Sequence, residues 1–526
     1  MRDDSSNNEG NEEGISNQDN TGNMYSYRDD QTNKKETGAI RRSMGDVNPN
    51  KVYPPVEPYQ PEEPSVSSGI NSNSNKSEYN ATIWMPYIIL ALLEGMILLA
   101  LALLTEYGFN QGKADKEENN PHSNDMIKFN YDELRDINIM AFIGFGLLHS
   151  ILKRNAWTSI SINTLLMAFS VQIALFFNFV WKKAFKEKWE EEDLNFLTIT
   201  KSIYISCTVV ITLGSIIGKL TIIQYLIMAL FEIILATMNF QLCQEKLETV
   251  DTGGALYVHT FGGVFALSIG VVLFCSTKFR QKAQIYENYN RQTYFSYITT
   301  FLGMLFLFIF FPSFNSAICD NLPNMYRARI NTYLSLIGSV IGSVVTSGMI
   351  NEGRLVLEQI LYGTISGGII ISGCCSVCFF HWAALILGTL SGAISVIILG
   401  FVKPQLIRID LRDCCNVILI HGVFGILGGF ITPMFIRDLE TESQIEKYKL
   451  FTDIKRTNAK QAGIQIGGLF ITLGISFVGG IATGFLMKIS ACKELDWMYN
   501  DAEFFILNND DLPANKKDDD NGRPSY

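Results

Sequence analysis

The chain has 526 residues, 48% apolar and 18% charged, with a formal charge of −10. Soluble domains usually carry about 25% charge, so the charge content is low for a wholly soluble protein. The charge is also localised. Residues 1–80 hold 14 acidic and 8 basic residues, and residues 491–526 hold 9 and 4, so the two ends account for the whole negative balance.

Residues 1–80 are rich in Asn, Ser, Asp and Glu and lack apolar periodicity. They are expected to form a disordered polar tail, because they cannot bury enough apolar surface to offset chain entropy. Residues 81–490 read as a single transmembrane domain. A helix crosses a bilayer in roughly 20 residues, and twelve apolar runs approach or exceed that length: 82–105, 137–153, 156–181, 197–217, 221–243, 253–276, 293–312, 328–350, 357–379, 381–402, 414–436 and 462–489. Backbone polar groups in lipid must be satisfied within each segment, so the expected fold is an all-α polytopic membrane protein of about twelve transmembrane helices. Residues 491–526 form an acidic tail, with a short ordered piece expected around Trp497–Leu507.

An even number of spans puts both termini on one side, which we assign to the cytosol. Basic residues cluster at 278–291 and 403–412 but also at 182–188 and 447–460, so the positive-inside rule does not set the orientation. Asn75-Lys-Ser and Asn80-Ala-Thr would accept glycan only if that tail faced outward. The ten Cys lie mostly within the apolar runs and read as small packing residues, without metal-ligand spacing. No phosphate loop or nucleic-acid motif is present in the tails, and no cofactor is expected.

Five His occur in the chain. His122 falls in a loop, His381 at a junction of two spans, and His149, near Lys153 and Arg154, reads as interfacial. Glu94 and Glu232, alone in apolar runs, read as helix-contact residues. His259 and His421 stand apart. Asp251 precedes His259 by eight residues, Asp413 precedes His421 by eight, and a glycine-rich stretch follows each His. The pattern recurs in the sixth and eleventh spans, an odd number apart, so the two segments cross the membrane in opposite directions. That is the signature of an inverted repeat, which places a site near the midplane where the halves meet. Eight residues of helix rise about 12 Å, so each Asp sits near a membrane face, as a helix cap, and each His nearer the middle. Ionisable residues within spans are functional candidates, and two neutral imidazoles can satisfy each other while presenting further nitrogens to a small molecule.

Asp251-Thr-Gly-Gly-Ala-Leu-Tyr-Val-His259-Thr-Phe-Gly resembles a signature of the ammonium transporter/Rhesus superfamily, in its Rh branch. So do Phe311-Pro-Ser-Phe-Asn-Ser-Ala317, Ala328-Arg-Ile-Asn-Thr-Tyr-Leu-Ser335, Asp413-Cys-Cys-Asn-Val-Ile-Leu-Ile-His421-Gly, Ile143-Gly-Phe-Gly-Leu-Leu148 and Gly218-Lys219, in order over residues 82–489. The resemblance implies two inverted five-helix repeats with an extra first and a final helix, a homotrimer with a pore through each subunit, ammonia or ammonium as substrate, and no enzymatic activity. It makes His259 and His421 the twin pore histidines and Phe314 the inner ring of an aromatic gate. The outer ring falls on Tyr204, where relatives usually have Phe. Asp251, Asp413 and Asn315 become structural or vestibule residues. A carboxylate common in the family's vestibule is replaced by Phe240, leaving Glu245, Glu248 or Asp251 to serve. Leu419 and Ile420 stand where relatives often have Asn.

The expected activity is therefore conduction of ammonia, after deprotonation of ammonium, at the plasma membrane. Four alternatives use some of the same residues: a carbon dioxide or other small-gas channel, electrogenic transport with a separate proton relay, a non-conducting membrane scaffold, and an intramembrane enzyme using His, Asp and a metal. The retained histidines argue against the scaffold, and the lack of a dense His motif argues against the enzyme.

Overall fold

Apolar runs that must satisfy their own backbone in lipid become helices, and helices are what the chain forms. The structure, a computed structural model, describes residues 72–107, 131–186, 192–287, 290–319, 321–439, 456–489, 495 and 497–506, all within the unit Ser72–Tyr526. Most of the expected polar N-terminal tail and the end of the acidic tail lie outside the described residues. In chain order the helices are α1 (Ser72–Leu104), α2 (131–148), α3 (Ala156–Lys186), α4 (Phe196–Ile216), α5 (Ile222–Leu247), α6 (Ala255–Phe274), α7 (Thr277–Ile285), α8 (Tyr294–Ser316), α9 (Leu322–Ile350), α10 (Leu357–Ile371), α11 (His381–Arg408), α12 (Ile418–Arg437) and α13 (Asn458–Leu486). A short parallel pairing joins β1 (Thr105–Tyr107) to β2 (Glu192–Leu194).

Among the described residues, ten of these helices are long and apolar enough to cross a bilayer. The other two expected spans fall outside that set, α2 because its start is charged and α10 because it is short. The run at 137–153 is helical over 131–148, with a π-helical turn at Ile139–Gly144. The run at 357–379 is helical over Leu357–Ile371 and then turns back. Cys374, Cys375 and Cys378 therefore sit in that turn, and Cys414 and Cys415 in the segment before α12, not inside spans as expected.

Helix starts follow side-chain chemistry. Asn195, Thr221 and Thr293 each accept a hydrogen bond from the third residue of α4, α5 and α8, whose own side chain answers back. Such capping boxes satisfy two of the orphan N–H groups that every helix start leaves.

The centre is the crossing of α6 and α12. Ala255 lies against Gly428, Thr260 against Gly425, and Gly263 against Gly422. The contacts run down one helix and up the other, so the two are antiparallel, as opposed repeats require. At Gly263 a Cβ would overlap the backbone of Gly422, and only glycine permits that approach. Helix α13 packs along both α6 and α12, while α9, α10 and α11 pack against one another, α9 and α11 most extensively.

Helix α4 gives the bundle a ruler. In its first half, Tyr204 hydrogen-bonds the carbonyls of Asp251 and Thr252. At its end, the carbonyls of Gly214 and Ser215 accept from the N–H groups of Cys415 and Cys414. One face of the bundle is thus the Asp251 side and the other the Asp413 side. The end of α1 meets β2, just before α4, on the Asp251 side, so α1 begins on the Asp413 side.

The C-terminal segment 497–506 docks on that same side, where an ordered piece was expected. The Tyr499 N–H donates to the Gly218 carbonyl at 2.7 Å, and the Asp501 N–H to the Arg154 carbonyl at 2.7 Å. The Asp501 carboxylate accepts from the N–H groups of Thr158 at 2.7 Å and Trp157 at 3.2 Å, capping α3 from a distant part of the chain. Removing a cap costs about 1 kcal/mol, so Asp501→Ala is expected to lower the apparent Tm in detergent. An unchanged Tm would show that the strap does not secure α3.

Candidate functional site

Each histidine of the repeated pattern sits in a π-helical turn, His259 in Ala255–Thr260 and His421 in Ile418–Gly422, ahead of the regular α-helix. Such turns displace the register of side chains and concentrate at functional sites. Gly254, at φ 81°, lets the chain swing into the first of them, a left-handed conformation that glycine adopts without strain. The carboxylates precede the turns as expected. Asp251 Oδ2 accepts from the N–H groups of Leu256 at 2.8 Å and Tyr257 at 2.9 Å, and Asp413 Oδ2 from that of Ile418 at 2.7 Å.

With the two helices crossing at Gly263 and Gly422, the imidazoles meet. His259 Nδ1 and His421 Nδ1 are 3.1 Å apart, and both side chains are buried. In that contact one Nδ1 donates and the other accepts, so at most one of the two facing atoms carries a proton. The contact occupies the Nδ1 atoms and leaves His259 Nε2 with no hydrogen-bond partner.

The pair lies under an aromatic stack. The Tyr204 and Phe314 rings are stacked with centroids 4.8 Å apart, and Phe314 and Phe311 lie 6.1 and 6.0 Å from His259. The Tyr204 hydroxyl is tied to backbone, donating to the Thr252 carbonyl at 3.2 Å and the Asp251 carbonyl at 3.4 Å. On the other side, Phe145 lies 6.2 Å from His421. Asn315 is a structural link: its amide donates to Thr332 Oγ1 and the Gly368 carbonyl, both at 3.0 Å, joining α8, α9 and α10.

The residues considered for a vestibule carboxylate are spread out. Phe240 packs edge-on to Tyr257 at 5.1 Å, Glu248 pairs with Arg456 at 3.4 Å, and Asp251 is engaged at the start of α6. Glu232 accepts from Thr212 Oγ1 at 2.7 Å between α4 and α5, a helix contact as expected. His149, expected near a membrane face, is buried within the protein: the chain folds back after Leu148, and Ser159 of α3 donates to its carbonyl at 2.9 Å. Phe145 and Phe311 fall within the family-like segments quoted from the sequence, but neither was given a role at the site. Among the described residues no group of three or more His, Cys, Asp or Glu converges as a metal site would require.

An all-helical membrane bundle in which opposed helices bring two imidazoles together beneath stacked aromatic rings is the architecture of a polytopic transporter or channel. The Ammonium Transporter Family matches residues 96–503, and the chain belongs to this family, in its Rh branch. It is 31% identical over 369 residues to ammonium transporter Rh type C of Rattus norvegicus, covering 69% of this chain and 73% of that protein. It is 28% identical over 407 residues to ammonium transporter Rh type B of Takifugu rubripes, covering 76% and 87%. Among solved structures, Nitrosomonas europaea Rh50 superposes with a TM-score of 0.61 at 23% identity, covering 74% of this chain and 95% of that one. Saccharomyces cerevisiae Mep2 does so with a TM-score of 0.55 at 17% identity, covering 72% and 92%. The protein is an integral membrane protein of a transporter and channel family, not an enzyme.

Proposed function

We propose that this protein conducts neutral ammonia across the plasma membrane, past His259 and His421, with Tyr204 and Phe314 as its gate. The observation that carries the reading is the 3.1 Å contact between the two Nδ1 atoms beneath the Tyr204–Phe314 stack. Ammonium and potassium share charge and nearly share size, so a pore for either cation would leak the other. Carrying a bare cation through the membrane centre costs between about 3 and well over 10 kcal/mol. Ammonium can leave its proton behind and potassium cannot. The neutral molecule pays a few kcal/mol for unpaired polar groups in an apolar passage, and the imidazole nitrogens left over by the pair lower that cost. Reprotonation on the far side completes net movement down the gradient. The family likeness supports a homotrimer with a pore in each subunit, and we assign both termini to the cytosol.

The same imidazole contact could also hand a proton from ring to ring, and the test separates the two. Purified protein in liposomes is given an inward ammonium gradient while luminal pH and membrane potential are recorded together. Fast luminal alkalinisation without matching charge movement is the expected result. Inward current with little or no alkalinisation, because a proton entering with each ammonia cancels the pH rise, would replace electroneutral conduction by ammonia plus a relayed proton. Rates equal to those of empty liposomes would overturn conduction altogether.

A further inference from the structure

Three imidazoles are buried among the described residues: His149, His259 and His421. The proposed passage uses two. His149 ends α2 with its backbone fully engaged, the N–H donating to the Phe145 carbonyl at 3.0 Å and the carbonyl accepting from Ser159 Oγ at 2.9 Å. Its ring is not: Nδ1 has no hydrogen-bond partner. A buried imidazole that served packing alone would be expected to satisfy its nitrogens, because an unmet polar atom costs more than a made bond returns.

The position of the ring follows from three neighbours. His149 Nε2 lies 2.7 Å, and Val417 Cγ2 2.8 Å, from the point that a Cβ on Gly214 would occupy. The imidazole therefore fills the space left by the missing side chain and sits beside Val417. Val417 precedes His421 by about one helical turn, so His149 meets the α12 segment on the Asp413 side of the pair. Gly214 follows Tyr204 on α4 by roughly 15 Å of helical rise, which puts His149 at the end remote from the aromatic stack. The Phe145 ring bridges the remaining distance, 6.2 Å from His421 and 5.8 Å from His149.

We infer that His149 is a third substrate-contacting imidazole, which takes ammonia after His421 and holds it on the way to the Asp413 side. The inference rests on the ammonia-conduction reading above. The order along the passage is then the Tyr204–Phe314 stack, His259, His421, the apolar wall at Phe145, and His149. Passing ammonia supplies the partner that Nδ1 lacks.

The test uses the full chain in liposomes, with ammonia-driven alkalinisation and the Tm in detergent as readouts for His149→Leu, His149→Gln and a His259→Leu, His421→Leu double variant. Loss of one neutral hydrogen bond changes a rate about fivefold. His149→Leu is expected to slow flux by about that factor without lowering Tm, and His149→Gln, which keeps a donor and an acceptor, to restore most of it. If His149→Leu conducts as the wild type does while the double variant does not, His149 is a packing residue and the twin-histidine reading stands. If both single variants lose flux equally together with Tm, the role is structural and the inference falls. Wild-type flux no faster than that of empty liposomes overturns both readings.

Discussion

Replacing His259 and His421 together by leucine is expected to cut ammonia flux at least tenfold and leave the protein folded, whereas replacing His421 alone is expected to destabilise it. The asymmetry follows from how the pair is satisfied. Each Nδ1 has the other as partner at 3.1 Å, and His259 Nε2 already has none. Removing His421 leaves a fully buried imidazole with both nitrogens unmet, at about 1–3 kcal/mol for the newly orphaned atom. Removing both rings removes the unmet groups too, and apolar replacement of a matched pair can be nearly neutral. Flux responds differently, because a polar molecule crossing the passage loses two stations, each a factor of about five. A double-mutant cycle on Tm should therefore show strong coupling between two residues 162 positions apart. A His421→Leu protein as stable as wild type and equally conductive would remove the pair from both the stability and the function of the protein.

Gly263→Val is expected to abolish recovery of folded protein. Overpacking a core normally costs about 1–3 kcal/mol because side chains can rotate or shift. Here the obstacle is the backbone of Gly422, which has no rotamer to change. Relief requires moving α6 away from α12, and that breaks the contacts at Thr260–Gly425 and Ala255–Gly428 and the imidazole pair itself. Gly467→Val is the control, since nothing lies within 4 Å of a Cβ at that position on α13. Size-exclusion profiles of the two variants decide the point: a monodisperse peak for Gly467→Val and aggregate for Gly263→Val. Normal recovery of a conducting Gly263→Val protein would show that the close crossing is dispensable.

Much of the centre could be read before any coordinates. The equal Asp-to-His spacings, the odd separation of the two spans and the glycines after each His are local features, and the antiparallel crossing of α6 and α12 is their direct geometric consequence. The aromatic stack came from resemblance, not from pattern, since Tyr204 and Phe314 are 110 residues apart in an apolar chain. Two things were hidden. The π-helical turns that carry both histidines leave no trace in apolar periodicity when nearly every neighbour is apolar. The burial of His149 was the other: the bend after Leu148 presses the imidazole into the gap at Gly214, and that gap belongs to a helix 65 residues away.

The joint at Gly263 and Gly422 also bears on ancestry. Each half of the chain contributes one glycine and one imidazole, and neither half can build the joint alone. A shorter forebear carrying a single copy of the pattern could have formed it only from two identical chains inserted in opposite orientations. Within one chain the constraint is one-sided: a Cβ at Gly422 would meet Gly263 at an ordinary 3.6 Å, whereas a side chain gained at position 263 has nothing left to displace at 422. The first copy of the pattern is therefore the one held to glycine at this crossing, and the second is freer to diverge.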